Sequence, residues 1–118
     1  MKCIDLRLIN EESFVEEQIT RKNFDLENKI IIAEANGCSL INGEYLKNPV
    51  IKIWDWADLR VIKETEISES LKISDIELIS AILIFKISDE ILELSDVGFN
   101  CWITWRFFKP KIEVWCSS

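Results

Sequence analysis

The stretch that most constrains the fold is residues 101–116, C-W-I-T-W-R-F-F-K-P-K-I-E-V-W-C. It holds three of the five tryptophans and two of the six phenylalanines. Its residues alternate in character at period two, the spacing of strand side chains. Ile103, Trp105 and Phe107 share one side, and Trp102, Thr104, Arg106 and Phe108 share the other. Lys109-Pro110 interrupts the run, and Ile112, Val114 and Cys116 then resume it. The pattern predicts an antiparallel hairpin. A two-residue primed turn is disfavoured, because Lys109 or Pro110 would need positive φ. A loop over residues 108–111 sets Phe107 against Ile112, Trp105 against Val114 and Ile103 against Cys116. Arg106 then falls opposite Glu113 on the other face. Ile103, Trp105, Phe107, Ile112 and Val114 form the face expected to be buried.

Earlier in the chain, residues 2–8 alternate around Ile4, Leu6 and Leu8 and predict an opening strand. Asn10 can cap a short helix over residues 11–21, with Glu11 and Glu12 at its positive end. Its apolar stripe of Phe14, Val15 and Ile19 is narrow, and an irregular loop is the alternative. Residues 29–35 are rich in β-branched side chains and read as a strand. Asn36-Gly37 and Asn42-Gly43 are turn signals that bound a short strand at 38–41, with 45–47 pairing back on it. Asn48-Pro49 marks a third turn. In residues 50–62, Asp55 falls on the otherwise apolar parity, which predicts a bulge or break near residues 54–57: two strands joined by a kink, or one strand crossing an edge. Residues 63–70 are a polar, acidic connection. Residues 71–87 are open between helix and strand: Ser74 and Glu77 have capping-box spacing, yet A-I-L-I-F-K-I suits a buried strand. A strand over 78–87 is favoured. Residues 89–95 fit a strand or one helical turn. The expected class is α+β, predominantly antiparallel β-sheet with a C-terminal hairpin and one short N-terminal helix, in a single domain over residues 1–118.

Composition narrows the functional classes. The apolar share of 48% is ample for a core at this length. No apolar run approaches the roughly 18 to 20 residues of a membrane span. The opening Met1-Lys2-Cys3-Ile4-Asp5 has no signal-peptide apolar core, which predicts a cytoplasmic protein. The four cysteines, Cys3, Cys38, Cys101 and Cys116, match no zinc-site spacing and are expected as reduced thiols. Twenty-one acidic residues against fourteen basic ones give a net −7. Residues 96–118 carry +1, so the remainder carries −8. Such a surface repels nucleic-acid phosphates and anionic lipid, and it attracts a basic protein. Plain solubility is the competing reading of the same charge.

The chain has no histidine. That removes Ser-His and Cys-His nucleophilic pairs, histidine general bases and histidine metal ligands together. No phosphate-binding or dinucleotide-binding glycine motif is present. Asp55 and Asp58 have the chemistry of an acid–base pair, but carboxylates this common in a chain carry little information. No enzyme, cofactor or metal is expected. The contact candidates are Asp55, Trp56 and Asp58, an aromatic anchor beside carboxylates, with Glu64, Glu66 and Glu69 in the acidic connection. The bland reading of Trp54-Asp55-Trp56 is core or edge packing. Trp102 and Trp115, flanking the expected Arg106–Glu113 pair, divide the same way.

In length, acidity and tryptophan-rich strands the whole chain resembles the small acidic immunity proteins of bacterial polymorphic-toxin and contact-dependent growth inhibition systems. The resemblance implies a cytoplasmic binding protein that neutralises a cognate toxin, often a basic nuclease, with no nucleic-acid or membrane partner of its own. It carries over no functional residue. The alternative is a small-molecule-binding or structural accessory β domain without a toxin partner.

Overall fold

Period-two alternation resolves into strands along most of the chain. The computed structural model describes residues 2–15, 17–64, 69–70, 81–82, 84–98 and 101–117. The strands are β1 (Lys2–Cys3), β2 (Glu17–Asp25), β3 (Ile30–Ala35), β4 (Gly37–Ser39), β5 (Tyr45–Lys47), β6 (Val50–Trp54) and β7 (Asp58–Glu64). They continue with β8 (Glu69–Ser70), β9 (Ala81–Ile82), β10 (Ile84–Ser88), β11 (Ile91–Gly98), β12 (Cys101–Phe108) and β13 (Lys111–Cys116). Among the described residues the helical content is one 3-10 turn, Leu6–Leu8. Hydrogen-bonded neighbours form a six-stranded sheet, β1-β13-β6-β3-β2-β9, a five-stranded sheet, β10-β11-β12-β7-β8, and a ribbon, β4-β5. The pairings are antiparallel.

Residues 50–64 and 101–116 run side by side and bend together. β6 pairs with β13 in the larger sheet, and β7 pairs with β12 in the smaller one. The bends lie at residues 55–57 and 109–110. Asp55 and Lys109 turn them with φ of 55° and 53°. β9 and β10 are likewise split between the sheets. Pairing within each sheet and the passage of the chain from β12 into β13 and from β9 to β10 together link β2, β3, β6, β13, β12, β11, β10 and β9, which shelters many strand edges.

The two inner faces supply one core. Ile31, Ala33, Ile51, Ile53 and Val114 come from the larger sheet; Leu59, Val61, Leu92, Leu94, Ile103, Trp105 and Phe107 come from the smaller. Phe14 plugs the core against Phe85, with ring centres 5.1 Å apart. Trp105 is wholly buried between Phe24, edge-on at 5.5 Å, and Phe107 at 6.3 Å.

Several expectations are corrected here. The antiparallel β content stands, but the helix over residues 11–21 does not form. Asn10 does cap, since its Oδ1 accepts from Glu12 N at 2.9 Å. Tight turns then succeed one another, with Val15 N to Glu12 O at 3.2 Å and Glu17 N to Phe14 O at 3.0 Å. The narrow apolar stripe could not hold a helix, and from Glu17 the backbone runs as β2, paired with β3 and β9 instead. The opening strand stops after Cys3, because Asp5 caps the 3-10 turn through Arg7 N at 3.0 Å.

The C-terminal hairpin is also overturned. The expected faces are right, with Ile103, Trp105, Phe107, Val114 and Cys116 buried and Ile112 partly so. The partners are different: Trp105 stands between Leu94 and Val61, and Val114 stands beside Ile51. Arg106 consequently pairs with Glu93, at 3.0 Å, and not with Glu113. Parity assigns a residue to a face but cannot say which strand lies beside it. Asn36-Gly37 is a bend into β4 without positive φ at Gly37, whereas Asn42-Gly43 is a turn with Gly43 at φ 92°. The kink expected near Asp55 is where it was placed. The strand over 78–87 is present as Ala81–Ile82 and Ile84–Ser88; residues 71–80 and 83 lie outside the described residues. Asp89 and Glu90, at φ 49° and 64°, form a primed two-residue turn joining β10 to β11.

Candidate partner-binding surface

The expected contact residues divide between two ends of β7. Asp55 sits at the bend, exposed, with its Oδ2 3.1 Å from Lys111 Nζ. Trp56 is 4% exposed and packs edge-on against Phe107 at 5.0 Å. Its indole therefore belongs to the core and is not an exposed anchor; burying so large an apolar ring against Phe107 is the stronger demand. Its carbonyl accepts from Lys29 Nζ at 3.1 Å. Asp58 is exposed, 3.4 Å from Arg60 Nε, and accepts from Leu59 N at 3.0 Å. Glu64 closes β7, some six residues or roughly 20 Å along the strand from Asp58. Glu69 stands opposite Lys63 in the β7–β8 ladder. Glu66 lies outside the described residues. Asp55 and Asp58 thus share one corner, and each is already engaged by a cation from its own chain. Trp102 and Trp115 lie on different sheets, and Trp115 Nε1 donates to Glu113 Oε2 at 2.8 Å.

A different surface combines acidity with exposed apolar area. The turns at residues 10–15 pack beside the β4–β5 ribbon. Ser39 N donates to Ser13 O at 2.8 Å, and Ile41 N donates to Leu8 O at 2.9 Å. A depression of about 450 Å³ between them is lined by Asn10, Glu12, Val15, Ser39 and Leu40. Around it Val15, Ile41 and Tyr45 are 42%, 58% and 53% exposed. The Tyr45 hydroxyl donates to Glu17 Oε1 at 2.9 Å, and Glu44 follows on the rim. That bond to a carboxylate raises the Tyr45 pKa, with burial adding to it. Residues 8–20 and 30–46 contain six glutamates and no lysine or arginine. Lys47 ends β5 two residues beyond Tyr45, while Arg7 is engaged by Asp5 at 2.7 Å and Lys86 by Glu11 at 3.6 Å. The Arg7 hydrogen bonds hold the Asp5 carboxyl at about 2.

The sequence reading places residues 11–21 in a helix, with Glu11 and Glu12 at its start, and does not connect them with residues 36–46. The signal was present as two segments without a basic residue. Their adjacency depends on hydrogen bonds between residues about 25 to 35 positions apart.

Burial pushes the Cys38 thiol up to about 12, with the charges of Glu17 and Cys116 adding to the effect, so it stays protonated at neutral pH. Cys3, Cys38 and Cys116 are free thiols. Among the described residues no three acidic or cysteine side chains converge as a metal site. Among them, too, no helix is long and apolar enough to cross a membrane. Comparison with protein-family models, curated proteins and solved structures finds no match, so the functional reading rests on this surface.

Proposed function

We propose that the chain is an immunity-type binding protein that docks on a basic protein toxin and blocks it. The supporting observation is the surface of residues 10–15, Glu17 and the β4–β5 ribbon: Glu12, Glu17 and Glu44 interleaved with exposed Val15, Ile41 and Tyr45, with Lys47 at the end of β5 the single basic residue of these segments. Carboxylates can occupy the lysine and arginine sites that a nuclease uses for phosphate. Tyrosine beside them supplies a rigid amphipathic anchor, and the neighbouring apolar side chains exclude water from the charge pairs. The net −7 steers a basic partner toward the surface.

The test is co-purification followed by a binding series. The captured partner should be basic, and its toxic activity should fall when the chain binds. Glu12→Lys, Glu17→Lys and Glu44→Lys should each slow association and flatten its salt dependence. Asp58→Lys, at the far corner, should change little. A partner without basic character, or one bound equally well by all these variants, would count against the reading.

A further inference from the structure

β10 and β13 lie on different sheets and are not hydrogen-bonded to each other. Between them the 3-10 turn and the loop after it hold the strands apart over a cleft of about 630 Å³. Leu6, Ile9, Phe85, Ile87 and Ile112 supply its apolar lining. Ile87 is 42% exposed, unusual for an isoleucine on the core side of a strand.

Among the described residues the backbone facing the cleft is only partly paired. Phe85 N donates to Glu11 O at 3.3 Å, away from β11. The β10–β11 register is unbroken, so two residues on Ile87 turns its N–H and C=O the same way. On the other side Val114 O accepts from Ile4 N at 2.8 Å, away from β6. Ile112, two residues earlier in an unbroken register, likewise faces its N–H and C=O away from β6. β1 reaches only Trp115 and Cys116 of β13, because the chain leaves the sheet at Asp5. Among the described residues neither Ile87 nor Ile112 has a partner on that side. An unpaired edge of this kind is a template for another strand.

We propose that this cleft takes an extended, uncharged peptide segment of a protein partner, added as a strand along β10. The unpaired backbone groups call for a strand, because only a β-backbone presents donors and acceptors at matching intervals. The apolar lining calls for alternate apolar side chains, pointing inward beside Phe85 and Ile112. Charge complementarity calls for a neutral segment: the rim cations Arg7 and Lys86 are each paired with a carboxylate of the same chain. The cleft borders the acidic surface at Asn10, which lines both depressions, but its apolar lining is its own and the proposal does not depend on the toxin reading.

The test uses the full chain and a blocked peptide of alternating valine and threonine, followed by amide NMR. Binding should shift the Ile87 and Ile112 amides and slow the hydrogen exchange of the Ile87 amide. Ile87→Lys, at an exposed site that should keep the fold, should weaken binding at least about tenfold, as a charge on a free edge does. Ile87→Pro removes the donor itself and should do the same. Glu17→Lys should leave peptide binding unchanged. A peptide of the same sequence with alternate amides N-methylated should not bind. Equal binding of that peptide would make the cleft an apolar pocket and overturn the strand proposal. Absence of amide shifts at millimolar peptide, or self-association abolished by Ile87→Lys, would also overturn it.

Discussion

Asp55 and Lys111 join the two bends of the fold, with Asp55 Oδ2 3.1 Å from Lys111 Nζ. Asp55 sits at φ 55°, and its N–H donates to the Lys29 carbonyl at 3.0 Å. Both side chains are more than half exposed, so the ion pair is worth at most about 1 kcal/mol. The backbone is the larger constraint, since aspartate tolerates the left-handed region and β-branched residues do not. Asp55→Asn and Asp55→Gly should stay within about 1 kcal/mol of the parent. Asp55→Val should lose about 1 to 3 kcal/mol. Urea denaturation midpoints measure the difference, and equal costs for Asn and Val would remove the backbone argument.

Trp105 makes the heaviest single contribution to the core. Trp105→Ala should cost about 3 to 5 kcal/mol through the cavity it leaves. Its Nε1 is buried and has no hydrogen-bond partner among the described residues. Trp105→Phe removes that unmatched donor along with some volume, and the two effects offset. The phenylalanine variant should lose less than half as much as alanine by the same denaturation measurement.

The Arg106–Glu93 pair tests the sheet assignment. It spans β11 and β12, with both side chains about one-third exposed. A double-mutant cycle on Arg106 and Glu93 should give a coupling of about 0.5 to 1 kcal/mol. The same cycle on Arg106 and Glu113 should give none, because those residues belong to different sheets. Coupling to Glu113 would restore the simple hairpin.

That contrast shows what the residues could and could not reveal. Alternation in 101–116 put Trp105 and Val114 inside correctly, because parity is local. It could not reveal that Lys109-Pro110 carries the chain between sheets, since a hairpin and a crossover bury the same side chains. The odd carboxylate Asp55 revealed the other bend because a charge on an apolar parity must leave the core. Asp89-Glu90 gave no turn signal, since neither residue has the freedom of glycine; pairing of the flanking strands holds them at positive φ. The charge asymmetry was legible as a number, but its concentration beside Tyr45 depends on contacts between distant segments. Trp56 looked like an anchor because a tryptophan beside acids reads alike in a core and on a surface.

Alkaline pH should destabilise the fold through Cys38. Its thiol is held up to about 12 in the folded chain, against an ordinary value near 9. Above that ordinary value the unfolded chain loses its proton while the folded chain keeps it. Stability should therefore fall as pH rises from about 9 toward 12, by up to about 1.4 kcal/mol per unit. Cys38→Ala should flatten the early part of this slope in denaturation curves taken at successive pH values. A thiol reagent at mild alkaline pH should label exposed Cys3 and leave Cys38 untouched.

Gly37 and Tyr45 give a test of the acidic surface that needs no partner. A β-carbon on Gly37 would collide with the Tyr45 hydroxyl. Gly37 has no positive φ to protect, and the obstacle is the far end of a flexible side chain. Gly37→Ala should therefore fold, with the ring displaced and its bond to Glu17 lost at a cost of about 1 kcal/mol. Tyr45 is the sole tyrosine in the chain, so tyrosinate absorbance reports on it alone. In the parent its titration should lie above the ordinary value near 10, because the hydroxyl donates to the Glu17 carboxylate. In Gly37→Ala, and in Glu17→Gln, the titration should move back toward that value. Glu44→Gln should move it little, since that carboxylate accepts from Asn42 Nδ2 at 3.2 Å and not from the tyrosine. If Gly37→Ala left the titration unmoved, Tyr45 would not be held over the glycine by Glu17, and the proposed anchor would lose the contact that orients it.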